Sequence, residues 1–233
     1  MNVLVVYAHQ EPRSFCGALR DAAVAGLSAA GHRVVQSDLY AMDFKATATA
    51  ADFATRANPD FFKYQAEQGA AARAGTFAPD IAAEQAKLSA CDLLVLVFPL
   101  YWQSVPAILK GWFDRVLAVG YAYGGGRWFD SGPMRGKRAL VTMTTGGMAD
   151  RFRADGLFGD MAWLLHPIHV GTLNFVGFDV LEPFIVWGPA SAGAATRAAY
   201  LADYRARLAG LFDETPLPFR RPADYPDPVS RDH

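Results

Sequence analysis

The sequence predicts an α/β fold: a doubly wound, five-stranded parallel sheet with helices on both faces. Three observations carry that reading. Strand-like and helix-like segments alternate along most of the chain, the order that builds right-handed crossovers. Two of the strand segments, residues 3–7 and 92–98, are almost wholly apolar, as strands covered on both faces must be. Polar, glycine-rich and proline-rich stretches follow the strands, where such folds bind ligands.

The elements follow in order. Residues 3–7 form a first strand, and Ser14 stands where an N-cap opens a helix that Gly31 stops after residue 30. Residues 32–39 alternate as a second strand. A helix over 79–90 leads into the strand 92–98, and Pro106 precedes a helix through Leu117. Its apolar positions, Ile108, Leu109, Trp112, Phe113, Val116 and Leu117, keep helical spacing. Residues 138–143 make a fourth strand, ended by Thr144-Thr145-Gly146-Gly147. A helix over 159–170, a strand over 178–186 and a helix over 192–212 complete the pattern. Residues 41–78 break the rhythm and read as an insertion with helical pieces, covering a sheet edge or a partner. Residues 1–219 thus form one domain, and 220–233, rich in proline and charge, form an extended tail.

Composition narrows the function classes. The chain of 233 residues carries 22 Lys+Arg against 23 Asp+Glu, a balance that argues against a nucleic-acid surface. With 52% hydrophobic and 19% charged residues it is globular rather than disordered. Cys16 and Cys91 are too few for a disulfide framework or a cysteine-based zinc site. The longest strongly apolar stretch is too short to insert in a membrane, and no signal peptide is visible, so a cytoplasmic protein is expected. His166 and His169 have metal-pair spacing but no evident third ligand, and no metal is expected. No P-loop, H-E-x-x-H or serine-triad pattern occurs.

Three loops meet at one end of such a sheet. The first, AHQEPRSFCG, lacks G-x-G-x-x-G but feeds a helix N-terminus, whose unpaired amides suit a phosphate. An ordinary capped loop would read the same way. The second, Pro99-Leu100-Tyr101-Trp102-Gln103-Ser104-Val105-Pro106, is stiffened by its prolines and offers two aromatics to a planar ring. The bland alternative is Trp102 packed in the core. The third, Thr144-Thr145-Gly146-Gly147, allows close backbone approach to the polar edge of a ring. A flavin nucleotide satisfies all three together.

Longer blocks, VVYAHQEPRSF, SDLYAMDF, FPLYWQSVPAILKGWFDRVL, TTGG, GFDVLEP and DETPL, resemble the NAD(P)H:quinone oxidoreductases of the DT-diaphorase type. Among these the chain is most similar to the dihydronicotinamide-riboside:quinone reductases. The resemblance implies a flavodoxin-like fold, bound FAD, and a homodimer with its active sites at the subunit interface. It implies ping-pong hydride transfer from NADH or NADPH to a quinone-like acceptor, with the flavin itself the catalytic group. His9, Ser14, Phe15, Cys16 and Gly17 would hold the pyrophosphate and adenine side, and Arg197 the adenine. Leu100, Tyr101, Trp102 and Gln103 would line the ring system, and Thr144, Thr145, Gly146 and Gly147 its pyrimidine edge. Trp102, Ala122, Tyr123, Phe152 and Phe158 would bound the substrate pocket, with Ala122 and Tyr123 reaching in from the partner chain.

The chain also departs from that family. Phe152 and Phe158 replace a polar pair, Gln103 replaces an aromatic, and Gly124–Gly126 with Arg127 and Trp128 replace pocket residues. Val170 and Asn174 stand where shorter relatives have metal-binding histidines. Two other readings share the fold: an FMN-dependent nitro- or azo-aromatic reductase, and a regulatory flavoprotein subunit of a potassium efflux system.

Overall fold

Alternation within the strands decides the layers. In β1 (Asn2–Tyr7), Val3, Val5 and Tyr7 face one side while Leu4 and Val6 face the other. β3 (Leu93–Pro99) is buried along its whole length and repeats the pattern, with Val95 and Val97 on the first side and Leu96 and Phe98 on the second. The first side is covered by α1 (Phe15–Ala29) and α6 (Ala194–Ala209). The second is covered by α3 (Pro79–Ala90), α4 (Ala107–Val116) and α5 (Met161–Ile168). This computed structural model describes residues 1–224.

Every pairing in the sheet is parallel. The strand order is β2 (Arg33–Asp38), β1, β3, β4 (Arg138–Thr145), β5 (Asp179–Val180), and β6 (Phe184–Trp187) also pairs with β4. The order reverses between β1 and β3, which opens a crevice beyond their carboxyl ends. The expected five strands become six because the last is broken. β5 sits opposite Arg138 and Ala139, and β6 opposite Thr142 to Thr145. Between them Pro183 has no N–H for the ladder, so the edge column is split.

Other boundaries shift for local reasons. Thr144 and Thr145 belong to β4 itself, and the turn begins only at Gly146. α5 is shorter than expected: Asp160 caps it by accepting from the Ala162 amide, and after Pro167 the chain widens into a π-helical turn, His169–Asn174. The insertion is partly helical, with α2 (Tyr64–Ala74) and a 3-10 turn at Ala50–Asp52. It packs on α3 and the end of α4 through Phe53, Ala71, Phe77, Ile81 and Ala118. A buried charge cluster pins it there. Asp52 accepts from Arg115 Nη2 at 3.1 Å, Lys45 Nζ at 3.0 Å and the Tyr64 hydroxyl at 2.8 Å. Of the tail expected to be extended, Pro222–Asp224 forms a 3-10 turn, and 225–233 lie outside the described residues.

Candidate active site

The first loop is built around Ser14. Its Oγ accepts the Gly17 amide at 3.1 Å, leaving the amides of Phe15 and Cys16 in the first turn without intrahelical acceptors. Gly17 has no room for a side chain: a Cβ there would stand 1.9 Å from the Pro12 carbonyl oxygen. Tyr7 supports the loop from beneath, its hydroxyl donating to the Glu11 carbonyl at 3.0 Å. His9 accepts the Glu11 amide at Nδ1 (2.9 Å), which leaves Nε2 to carry the proton as a donor. Partial burial lowers the pKa of this imidazole, so it is neutral at neutral pH.

The second loop is a two-residue turn. Tyr101 and Ser104 exchange backbone hydrogen bonds at 3.0 and 2.9 Å, and Trp102 and Gln103 occupy the tip at φ +50° and +58°. Left-handed backbone at two non-glycine residues costs of order 1–3 kcal/mol each, strain of the kind that clusters at active sites and ligand clamps. Trp102 is 100% exposed, so the core alternative for it fails. The turn is tied to the first loop by Gln10 Nε2 donating to the Tyr101 hydroxyl at 3.1 Å.

The third loop adds the open backbone. A Cβ on Gly146 would meet nothing within 4 Å. Among the described residues, the amides of Trp102, Gln103, Gly146 and Gly147 have no protein acceptor. Thr144 Oγ1 lies 3.2 Å from Cys16 Sγ, joining the first and third loops, and Thr145 Oγ1 donates to the Gly147 carbonyl at 2.7 Å. Burial pushes the Cys16 thiol up to about 11, so it is a packing group here, not a nucleophile. Phe152 lies buried beneath Gly147, 5.1 Å from the ring of Phe158 and 5.4 Å from Trp187, while Phe158 is 39% exposed. Trp187, at the end of β6, was not legible as a site residue because its role depends on where the edge strand ends.

The crevice thus gathers His9, Ser14 to Gly17, Leu100 to Gln103 and Thr144 to Gly147. Arg197 lies one helical turn before Tyr200, whose ring meets Phe15 edge-on at 6.4 Å, and its Nη1 donates to the Ala192 carbonyl at 2.6 Å. Ala122 and Tyr123 are elsewhere. They follow the carboxyl end of α4 and lie near the amino ends of the strands, where Tyr121 bonds to the last turns of α3 through Gln85 and Ser89. Ala122 is fully buried, so its side chain shapes the loop rather than touching a ligand. Tyr123 packs against Phe175 at 5.5 Å on a cleft lined by Gln65, Lys110, Phe113 and Thr172.

A crevice with an open helix N-terminus, a solvent-facing tryptophan and a bare glycine pair fits a flat, phosphate-bearing cofactor. The family comparison agrees: a family model described as having a flavodoxin-like fold matches residues 1–208. The human ribosyldihydronicotinamide dehydrogenase [quinone] is 46% identical over 218 residues, covering 93% of this chain and 94% of that protein. The chain belongs to the flavodoxin-like quinone reductase family. The rat NAD(P)H dehydrogenase [quinone] 1 is 43% identical over 219 residues, 94% of this chain and 80% of that protein. A solved Klebsiella pneumoniae structure assigned to quinone reduction superposes with a TM-score of 0.92 at 41% identity, covering 95% of this chain and 88% of that one. As a member of this quinone reductase family, the protein is an oxidoreductase, and its fold implies a flavin cofactor. Among the described residues, no helix is long and apolar enough to cross a membrane.

Proposed function

We propose that the protein is a homodimeric FAD enzyme that passes two electrons from NADH or NADPH to a quinone or similar flat aromatic acceptor, in ping-pong fashion. The observation that carries this reading is the convergence of the capped α1 N-terminus, the exposed Trp102 turn and the unpaired Gly146 and Gly147 amides. The names of the relatives supply the reaction class. Bound FAD would supply hydride uptake and release; the chain supplies position and electrostatics.

In this reading the Phe15 and Cys16 amides and His9 Nε2 hold the pyrophosphate, with Ser14 and Gly17 fixing the loop. Leu100, Tyr101, Trp102 and Gln103 bound the ring system. Gly146 and Gly147 donate to its polar edge, and Thr144 and Thr145 hold those glycines in place. Arg197, Tyr200 and Phe15 extend the crevice beyond the phosphates, which favours FAD over the shorter FMN. Trp102 and Phe158 are exposed at the crevice to meet an acceptor, with Phe152 as the floor behind. Tyr123 lies at the other end of its own sheet, so its pocket role requires a second copy of the chain. Two buried, unpaired cysteines support a reducing, cytoplasmic setting.

The test is an absorbance spectrum of the purified protein and the mass of the cofactor released on denaturation. About one FAD per chain supports the reading. A folded, colourless protein that takes up no added flavin overturns it. Light scattering that gives a stable mass near 25.3 kDa removes the dimer.

A further inference from the structure

One cation at the crevice has no role in the reading above. Arg151 stands in the 3-10 turn Ala149–Phe152, with its Cδ 3.7 Å from where a Cβ on Gly147 would lie. Among the described residues its guanidinium has no hydrogen-bond or ion-pair partner. Most of its polar neighbours on the loop are already engaged. Arg153 pairs with Asp155 at 2.8 Å, whereas the adjacent Asp150 makes no side-chain hydrogen bond or ion pair among the described residues, to Arg151 or to any other group. Thr145 is bound to the Gly147 carbonyl, and Asp160 to the Ala162 amide. The side chains Phe152, Phe158 and Met148 carry no charge or hydrogen-bond donor, and Trp187 carries only its uncharged indole N–H. Arg151 is therefore the unengaged positive charge beside the glycine pair, and arginine keeps its charge at any working pH.

We propose that Arg151 is the counter-charge for a flavin held at Gly146 and Gly147 when that flavin becomes reduced. The assignment rests on the flavin reading. On hydride transfer the dihydronicotinamide loses two electrons and a hydrogen nucleus and becomes the oxidised nicotinamide. The ring system gains the hydride and, with it, one negative charge. A cation near the ring's polar edge stabilises that charge, and because Arg151 is exposed to solvent the effect is one that salt screens. Residues 148–159 carry no side-chain hydroxyl or imidazole to do so, and Arg151 takes the task by field rather than by direct bonding.

Sulfite provides a test without turnover, because it adds reversibly to oxidised flavin and leaves a negative charge on the ring. Flavin-loaded wild type, Arg151→Gln and Arg151→Lys are titrated with sulfite, and the midpoint potential of each is measured by spectroelectrochemistry. Arg151→Gln is expected to weaken sulfite binding at least tenfold, equivalent to about 30 mV for a two-electron couple. Arg151→Lys restores most of the loss, and added salt shrinks the difference. Unchanged sulfite binding and potential in flavin-loaded Arg151→Gln overturn the assignment, as does an equal loss in the glutamine and lysine variants. A wild type that holds no flavin overturns the flavin reading itself.

Discussion

Replacing Gly17 by alanine tests the phosphate loop with one carbon atom. The added Cβ would stand 1.9 Å from the Pro12 carbonyl oxygen and 2.8 Å from its carbon. Ordinary contact begins at 3.4 Å, so the Pro12 carbonyl must retreat by about 1.5 Å or the first turn of α1 must tilt away. Neither end can give freely. Pro12 lies between Glu11, held by the Tyr7 hydroxyl, and Ser14, whose Oγ caps Gly17 itself. Forced overpacking of this kind costs about 1–3 kcal/mol. The Phe15 and Cys16 amides move with the turn, so flavin affinity is expected to fall roughly tenfold to a hundredfold, at about 1.4 kcal/mol per factor of ten. The flavin-free protein is expected to melt lower as well, by roughly 2–4 °C per kcal/mol for a chain of this size. Flavin fluorescence quenching reads the first effect and calorimetry the second. A Gly17→Ala protein with wild-type flavin affinity and wild-type melting would refute the claim that this loop is held rigid for an anion.

Gly146→Val is the complementary case. Its Cβ faces open space, so the flavin-free protein keeps its melting temperature while flavin binding is lost; weakened folding with flavin retained contradicts this. Asp52→Asn removes one of the two carboxylates paired with the buried Arg115, leaving Asp80 at 2.7 Å, and is expected to cost about 1–3 kcal/mol, read by urea unfolding at pH 7. Burial alone would raise the Asp52 pKa, but hydrogen bonds from Arg115, Lys45 and Tyr64 outweigh it and lower it. The stability this carboxylate contributes is therefore present above the ordinary carboxylate range and lost as pH falls through the lowered value; Asp52→Asn flattens that acid limb. His169 is pushed down to about 4, by burial first and His166 second, and its Nε2 has no partner. Between pH 6.5 and 4 the unfolded chain binds the proton and the folded one does not, so stability falls with falling pH by up to about 3 kcal/mol. His169→Leu is expected to remove that slope, and a variant with the wild-type slope would show that another group causes it.

Much of this architecture was legible because burial on both faces imposes a plain pattern. The apolar runs of β1 and β3 left no other assignment, and Ser14 announced α1 through its capping chemistry. The edge was less legible. Residues 178–186 carry strand-like composition, and only pairing against β4 shows that Pro183 divides them. Trp102 was ambiguous between core and solvent until two positive φ angles fixed the turn that turns it outward. The engagement of Thr145 and the isolation of Arg151 are properties of three-dimensional neighbours, which residue order alone does not give. The distance of Tyr123 from the crevice belongs to the same class, since it follows from the direction in which α4 runs.

That last separation has a genetic consequence. The flavin loops and the Tyr123–Phe175 surface occupy opposite ends of one sheet, so two lesions, one at each end, need not reside in the same working centre. In a dimer whose centres each draw on both copies, chains carrying Gly146→Val and chains carrying Tyr123→Ala are inactive as pure populations. Mixed and reassembled, each hybrid pair has one centre that takes its intact crevice from one chain and its intact aromatic wall from the other. Two defective alleles would then complement each other in one cell, with half of the centres in every hybrid restored.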